Sequence, residues 1–327
     1  MKKFLSSALL LSGSLLVGLL LIEVILRISG FSYRLTIEKV QFGWPTPQVI
    51  KRLYLPDKEL FWVPKYYHKF LQLLYDQHPT VVFMGDSCTQ FGRYDEYFSS
   101  LISTKFPNND ISYVNLGVGG WSSYQGLQQL KRDVLNLKPR IITIYYGWND
   151  HWMPFGIEDK NIGRLNSSLC YHLRNFRLGQ LVTKLFVTFW HKKSAPQRVT
   201  PEDFRRNILQ IVKLARDNNI IPVLLTAPTS AQKGKEPQYL SERFLKNTED
   251  LIPLHRQYTS IIREIAQEKH VVLCDLAQKF DRLPRQQVIS EYFSKDVVHL
   301  TEQGNKILAE FLYDCFKQNN LFQQMVN

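Results

Sequence analysis

A serine placed directly after an apolar run is the first point in this chain where chemistry has a foothold. Val81-Val82-Phe83-Met84 suits a buried strand, Gly85 permits a sharp turn, and Ser87 arrives at its tip. At the carboxyl end of a parallel strand, a hydroxyl sits where ligands bind. The tripeptide Gly85-Asp86-Ser87 alone equally fits a turn with a capping serine. A serine nucleophile needs a base, and Asp296-Val297-Val298-His299 supplies a histidine three residues after an acid. The carboxylate in such a pair sets the tautomer of the imidazole. Asn149, in Tyr146-Gly147-Trp148-Asn149-Asp150-His151, follows another apolar run. An amide there can donate to a developing oxyanion, a contact worth ~3 kcal/mol of barrier; an Asx turn fits the same tripeptide. Asn115-Leu116-Gly117-Val118-Gly119-Gly120 follows a third run, and its glycines let backbone N–H groups approach a ligand. A plain strand-to-helix turn is the alternative. A dinucleotide fingerprint is excluded, because Ser122 stands where the third glycine belongs.

The elements that must position these residues alternate. Strands are predicted over residues 81–84, 111–116, 141–146, 220–226 and 270–274, with helices over 95–105, 122–137, 249–269 and 301–316. Leu127, Leu130, Val134 and Leu137 share one helical face. Thr200-Pro201-Glu202-Asp203 starts a further helix with a cap, a proline at its first position and acids in its first turn. Pro107-Asn108-Asn109-Asp110 reads as a turn. This alternation predicts a parallel sheet with helices on both faces. Residues 151–200 form a long insertion with an amphipathic piece over 178–190, and another long loop covers 228–248. Both follow strands on the side where Ser87 lies, so they are expected to shape a substrate pocket, with His151 and Trp152 as lining candidates or as structural residues.

The chain has 327 residues, 44% of them hydrophobic and 21% charged, as in a globular protein. Residues 4–22 are apolar or small throughout, and as a helix they cover ~28 Å, near the hydrocarbon thickness of a bilayer. Lys2 and Lys3 precede the run and Glu23 and Arg27 end it. No small-x-small cleavage site follows, so residues 1–28 read as an uncleaved signal anchor. The two lysines favour a cytoplasmic N-terminus, although Arg27, Arg34 and Lys39 weaken the bias. Residues 29–78, with Trp44-Pro45-Thr46-Pro47 and a short helix near 70–75, are expected to be a stalk packed on the domain at 79–318. The net charge of +12 is spread along the chain, with Lys192-Lys193 and Arg205-Arg206 the densest spots. That pattern suits a basic surface near a membrane and gives no nucleic-acid site. Cys88, Cys170, Cys274 and Cys315 show no CxxC spacing, so no metal site is expected. Cys274 and Cys315 read as buried small hydrophobes. Bridges are compatible with four cysteines, and no pairing follows from their spacing.

Taken together and in order, Gly85-Asp86-Ser87, Gly120, Gly147-x-Asn149-Asp150 and Asp296-x-x-His299 resemble the four sequence blocks of the SGNH (GDSL-type) hydrolases. The resemblance covers roughly residues 79–318. It implies a three-layer α/β/α sandwich, flavodoxin-like, with a five-stranded parallel sheet in the order 2-1-3-4-5. It also implies Ser87 as nucleophile, His299 as base and Asp296 as its orienting acid. The oxyanion hole would be the Ser87 and Gly120 N–H groups with the Asn149 side chain, Gly119 being a substitute for Gly120. Cys88 stands where the family name has leucine, which leaves the chemistry untouched.

The function expected is therefore ester hydrolysis through an acyl-serine, with no metal or cofactor, by a single-pass membrane protein whose domain lies outside the cytoplasm. The preferred substrate is a short acyl ester of a cell-envelope glycan, with a lipid ester second. An O-acyltransferase with the same residues, and a silent glycan-assembly scaffold that kept the fold, are the rival readings.

Overall fold

The structure is a computed structural model that describes residues 2–33, 52–106, 111–154, 156–167, 172–191 and 196–326. The Trp44–Pro47 stretch, the turn at 107–110, Cys170 and Lys192-Lys193 lie outside the described residues.

Helix α1 is Lys2–Ile28, within which Leu9–Ile28 is long and apolar enough to cross a membrane, with none of it buried inside the protein. An antiparallel hairpin of β1, Tyr54–Asp57, and β2, Phe61–Pro64, comes next, followed by α2, Tyr67–Leu74. The α/β region then runs β3 (Val81–Gly85), α3 (Ser87–Gly92), α4 (Tyr94–Lys105), β4 (Tyr113–Asn115), α5 (Ser123–Gln129) and β5 (Ile141–Tyr145). It continues with α6 (Asp159–Ser167), α7 (Arg177–His191), α8 (Pro201–Asp217), β6 (Ile221–Leu225), α9 (Leu251–Lys269), β7 (Val272–Cys274) and α10 (Glu302–Gln318).

The sheet is parallel, in the order β4-β3-β5-β6-β7, which is 2-1-3-4-5 for the five strands in sequence. Its central strands β3, β5 and β6 read as apolar runs because both faces are covered. Successive side chains point to opposite faces. Val82, Met84, Ile142, Ile144 and Leu224 join Leu127 of α5, Ile208 of α8 and Ile262 of α9 in one core. Val81, Phe83, Ile141 and Val223 join Phe98 of α4 and Leu312 and Phe316 of α10 in the other. This is the three-layer sandwich.

Local capping agrees with the sequence. Thr200 Oγ1 accepts from Asp203 N at 3.2 Å to start α8, and Thr301 Oγ1 accepts from Gly304 N at 3.1 Å to start α10. Ser122 forms a capping box with Gln125 ahead of α5. The helix expected over 122–137 is interrupted by a π-turn at Leu130–Val134. That turn presents Arg132, which donates to both carboxylate oxygens of Asp57 at 2.9 Å, and Asp133, which accepts from Tyr67 Oη at 2.8 Å. The hairpin and α2 are thereby tied to the domain.

One expectation is corrected. Cys274 and Cys315 are not separate small hydrophobes: they form a disulfide that joins the last strand to α10. Linear spacing could not reveal this, because the partners lie 41 residues apart and meet only once α10 packs on β7.

Candidate active site

Residues from four loops meet at the carboxyl edge of the sheet. Ser87 follows β3 as the first residue of α3, and Asp86 is the cap of that helix. Gly85 has to be glycine because of close approach: a Cβ there would lie 2.0 Å from Thr89 Oγ1 and 2.9 Å from the Tyr145 carbonyl. The turn can therefore be tight enough to leave Ser87 partly exposed above a buried strand.

His299 Nε2 lies 2.8 Å from Ser87 Oγ, and His299 Nδ1 lies 2.7 Å from Asp296 Oδ2. A carboxylate only accepts, so Nδ1 carries the proton and Nε2 is left to accept from the serine hydroxyl. The carboxylate is itself held, since Asp296 Oδ1 accepts from Ser294 Oγ at 2.7 Å, His299 N at 2.9 Å and Val298 N at 3.0 Å. Burial alone would raise Asp296, but the hydrogen bonds and charge of His299, helped by Ser294, outweigh it and hold the carboxyl at about 2. In the same loop Val297 has a φ of 61°, unusual for a β-branched residue, and its carbonyl accepts from Thr229 Oγ1 at 3.0 Å.

Cys88, next to the serine, is buried at 8% exposure. Burial, with the nearby Asp86 and Asp296 charges, pushes its thiol well above its usual range. A protonated thiol in this position is a poor nucleophile.

Asn149 follows β5 and is buried; its Nδ2 donates to Asp86 Oδ2 at 3.0 Å. An amide has two N–H donors, so this bond orients the group and leaves a second N–H. Gly119 N, the alternative to Gly120, donates to Gln90 Oε1 at 2.6 Å. Gly120 has φ +79°, a region that favours glycine. Its N–H belongs to the peptide whose carbonyl, on Gly119, accepts from Trp62 Nε1 at 3.1 Å. In a planar trans peptide the two groups point in opposite directions, so Trp62 fixes where the Gly120 N–H aims.

These supports were not legible in the sequence. Trp62 lies in the hairpin, to which sequence reading assigned no function, and Trp121 Nε1 returns a bond to the Trp62 carbonyl at 3.0 Å. Arg198, 1% exposed, donates to the Gly120 carbonyl at 2.7 Å and pairs with Asp159 at 2.8 Å, while Asp159 Oδ2 also accepts from Ser122 Oγ at 2.7 Å. The one local signal was Trp121 directly after Gly119-Gly120.

His151 and Trp152, read from the sequence as either pocket-lining or structural residues, are interior, 1% and 6% exposed. His151 Nε2 lies 3.4 Å from His255 Nδ1, and His255 stacks on Trp148 with ring centroids 3.9 Å apart. His255 Nε2 meets the Ala227 carbonyl at 2.8 Å. Burial keeps both imidazoles neutral, His255 down at about 4 and His151 well below its usual range. The amphipathic piece of the insertion, α7, packs mainly against α1 and the turn Leu173–Asn175.

Residues 83–307 match the GDSL-like Lipase/Acylhydrolase family, and the chain belongs to that family. Its fold is that of the SGNH hydrolases. Among curated proteins, platelet-activating factor acetylhydrolase IB subunit alpha1 of Rattus norvegicus is 31% identical over 86 residues, 26% of this chain and 34% of that protein. The alpha2 subunit of Homo sapiens matches at the same 31% over 86 residues, 26% of this chain and 35% of that subunit. The match thus spans about a third of the length of these relatives. Among solved structures, a lipase/acylhydrolase from Enterococcus faecalis superimposes with a TM-score of 0.50 at 16% identity, covering 74% of this chain and 96% of that one, a likeness of fold.

Proposed function

We propose that this protein is a membrane-anchored serine esterase that acts outside the cytoplasm. Ser87 is the nucleophile, His299 the general base and Asp296 the acid that orients it. The observation that carries this reading is the pair of short contacts on one imidazole, 2.8 Å to Ser87 Oγ and 2.7 Å to Asp296 Oδ2. Ser87 attacks the ester carbonyl while its proton passes to His299 Nε2. The oxyanion is met by the N–H groups of Ser87 and Gly120 and by the Asn149 amide. His299 returns the proton to the departing alcohol, and water then cleaves the acyl-serine by the same steps.

Residues 1–28 are the anchor, 29–78 the segment that links and packs, and 79–318 the catalytic domain. Lys2 and Lys3 favour a cytoplasmic N-terminus. The Cys274–Cys315 bridge favours an oxidising compartment for the domain. Relatives named for acetyl hydrolysis favour a short acyl group, and the location favours an envelope glycan ester over a lipid ester. Transfer of the acyl group to a sugar hydroxyl uses the same residues, with that hydroxyl in place of water.

A fluorophosphonate probe tests the assignment. It labels the wild-type protein at Ser87, and Ser87→Ala is unlabelled and inactive on short para-nitrophenyl esters. Labelling at Cys88, or full turnover in Ser87→Ala, overturns the nucleophile. A folded chain with neither labelling nor turnover supports the silent scaffold. Product analysis with and without an acceptor sugar separates hydrolase from transferase.

A further inference from the structure

Helix α7 carries an apolar face that stays exposed among the described residues. Val182, Leu185, Phe186, Phe189 and Trp190 recur at the spacing of one helical side and are 37–64% exposed. The opposite side is buried through Gln180 and Val187, at 2% and 5% exposure. The Phe186 and Trp190 rings stack at 5.3 Å and so form one continuous apolar surface.

What covers this face follows from where α7 begins. Glu23 of α1 caps it in trans: Oε1 accepts from Arg177 N at 2.9 Å and Oε2 from Leu178 N at 2.8 Å. A carboxylate on the first free N–H groups of a helix satisfies them and complements the helix dipole. Arg27 Nε, one turn further along α1, donates to Glu23 Oε1 at 2.8 Å. Tyr33 N donates to Gln180 Oε1 at 3.0 Å, and Lys184 lies over the Phe31 ring at 5.5 Å. All these contacts fall in the last turns of α1 or in the chain that leaves it. Helix α7 is therefore held at the height where the apolar span ends, which in a bilayer is the headgroup region. Aromatic and aliphatic residues on one side, with Arg177 and Lys184 off that side, make the composition of an interfacial helix. The net charge of +12 suits anionic headgroups.

We propose that the apolar face of α7 is seated in the lipid–water interface of the bilayer that holds α1. The domain is then fixed to the membrane at two points, and its orientation relative to the bilayer is set by Glu23. Such helices bury their apolar side roughly 5–10 Å into the boundary between headgroups and acyl chains. The inference rests on α1 being a membrane span.

The test uses the full chain in phosphatidylcholine–phosphatidylglycerol vesicles whose acyl chains carry bromine. Trp62, Trp121, Trp148 and Trp152 are buried, and Trp44 is common to every variant. The emission lost in Trp190→Phe therefore reports Trp190 alone. That difference emission is expected to be blue-shifted and mostly quenched by brominated lipid. Leu185→Ser with Phe189→Ser should abolish the quenching while the chain still resists carbonate extraction and still turns over a short soluble ester. A retained chain whose Trp190 is unquenched and water-exposed overturns this inference alone. Unquenched but blue-shifted emission, with crosslinking between copies at α7, overturns it in favour of a second copy of the chain. Release of the chain by carbonate overturns the membrane reading of α1 and this inference with it.

Discussion

Asp86 Oδ2 accepts the Asn149 amide at 3.0 Å, while its Oδ1 accepts the Cys88 N–H at 2.9 Å. One carboxylate therefore both caps the helix that carries Ser87 and orients the side chain proposed to meet the oxyanion. Burial raises Asp86, and the bonds from Cys88 and Asn149 and the charge of His299 oppose that rise.

This arrangement makes the two residues a unit. Asn149→Ala is expected to lower kcat by about 100-fold, the usual cost of one missing oxyanion donor. Asp86→Ala loses the same orientation and the helix cap. The double variant should be little slower than the worse single variant, because residues acting together are not additive. Fully additive losses in a double-mutant cycle on a para-nitrophenyl ester would separate them.

Trp62 gives a second prediction. Trp62→Phe keeps most of the apolar packing but removes the bond to the Gly119 carbonyl. The kcat is expected to fall roughly tenfold, the equivalent of one hydrogen bond of about 1.4 kcal/mol, with KM nearly unchanged. A loss carried by KM, or a parallel loss of thermal stability large enough to unfold the domain, would assign Trp62 to packing only.

The buried titratable groups near the sheet edge predict opposite pH slopes. His255, held at about 4 by burial, binds fewer protons when folded than its unfolded value of 6.5 implies. It contributes stability above pH 6.5 that is lost as pH falls toward 4. Asp150 accepts from Ser123 N at 2.9 Å, but burial outweighs this bond and pushes the carboxyl up to about 7. Folding therefore favours protonated Asp150, and stability from this group falls as pH rises from about 4 to 7. Urea unfolding across this window should show that His255→Gln makes stability fall more steeply with rising pH. Asp150→Asn should make it rise more steeply.

The disulfide predicts a redox dependence. Closing a separation of 41 residues restricts the unfolded chain by about 4 kcal/mol in the loop-entropy account. Cys274→Ser with Cys315→Ser, or reduction of the wild type, should lower stability by up to that amount in urea titrations. An unchanged midpoint under reductant would show that the bridge is not formed.

The sequence by itself carried the sheet, its order through the family resemblance, and the four chemical stretches. Parallel strands covered on both faces must be apolar runs, so the stretches that carry Ser87 and Asn149, each directly after such a run, stood out locally. Capping followed the same local logic at Thr200 and Thr301. The partners of those residues were decided by tertiary structure. Trp62 meets Gly119 across 57 positions of chain, and Arg198 meets Gly120 across 78. For His151 the sequence left lining and structural roles open, and only the fold brings it within 3.4 Å of His255. Cys274 found Cys315 only once α10 had docked on β7, and Glu23 found the start of α7 only after the insertion had folded back to α1. Hydrophobic period and turn chemistry are short-range and leave their mark in consecutive residues. A hydrogen bond between distant loops leaves none, because many side chains could satisfy either partner and only the packed geometry selects the pair.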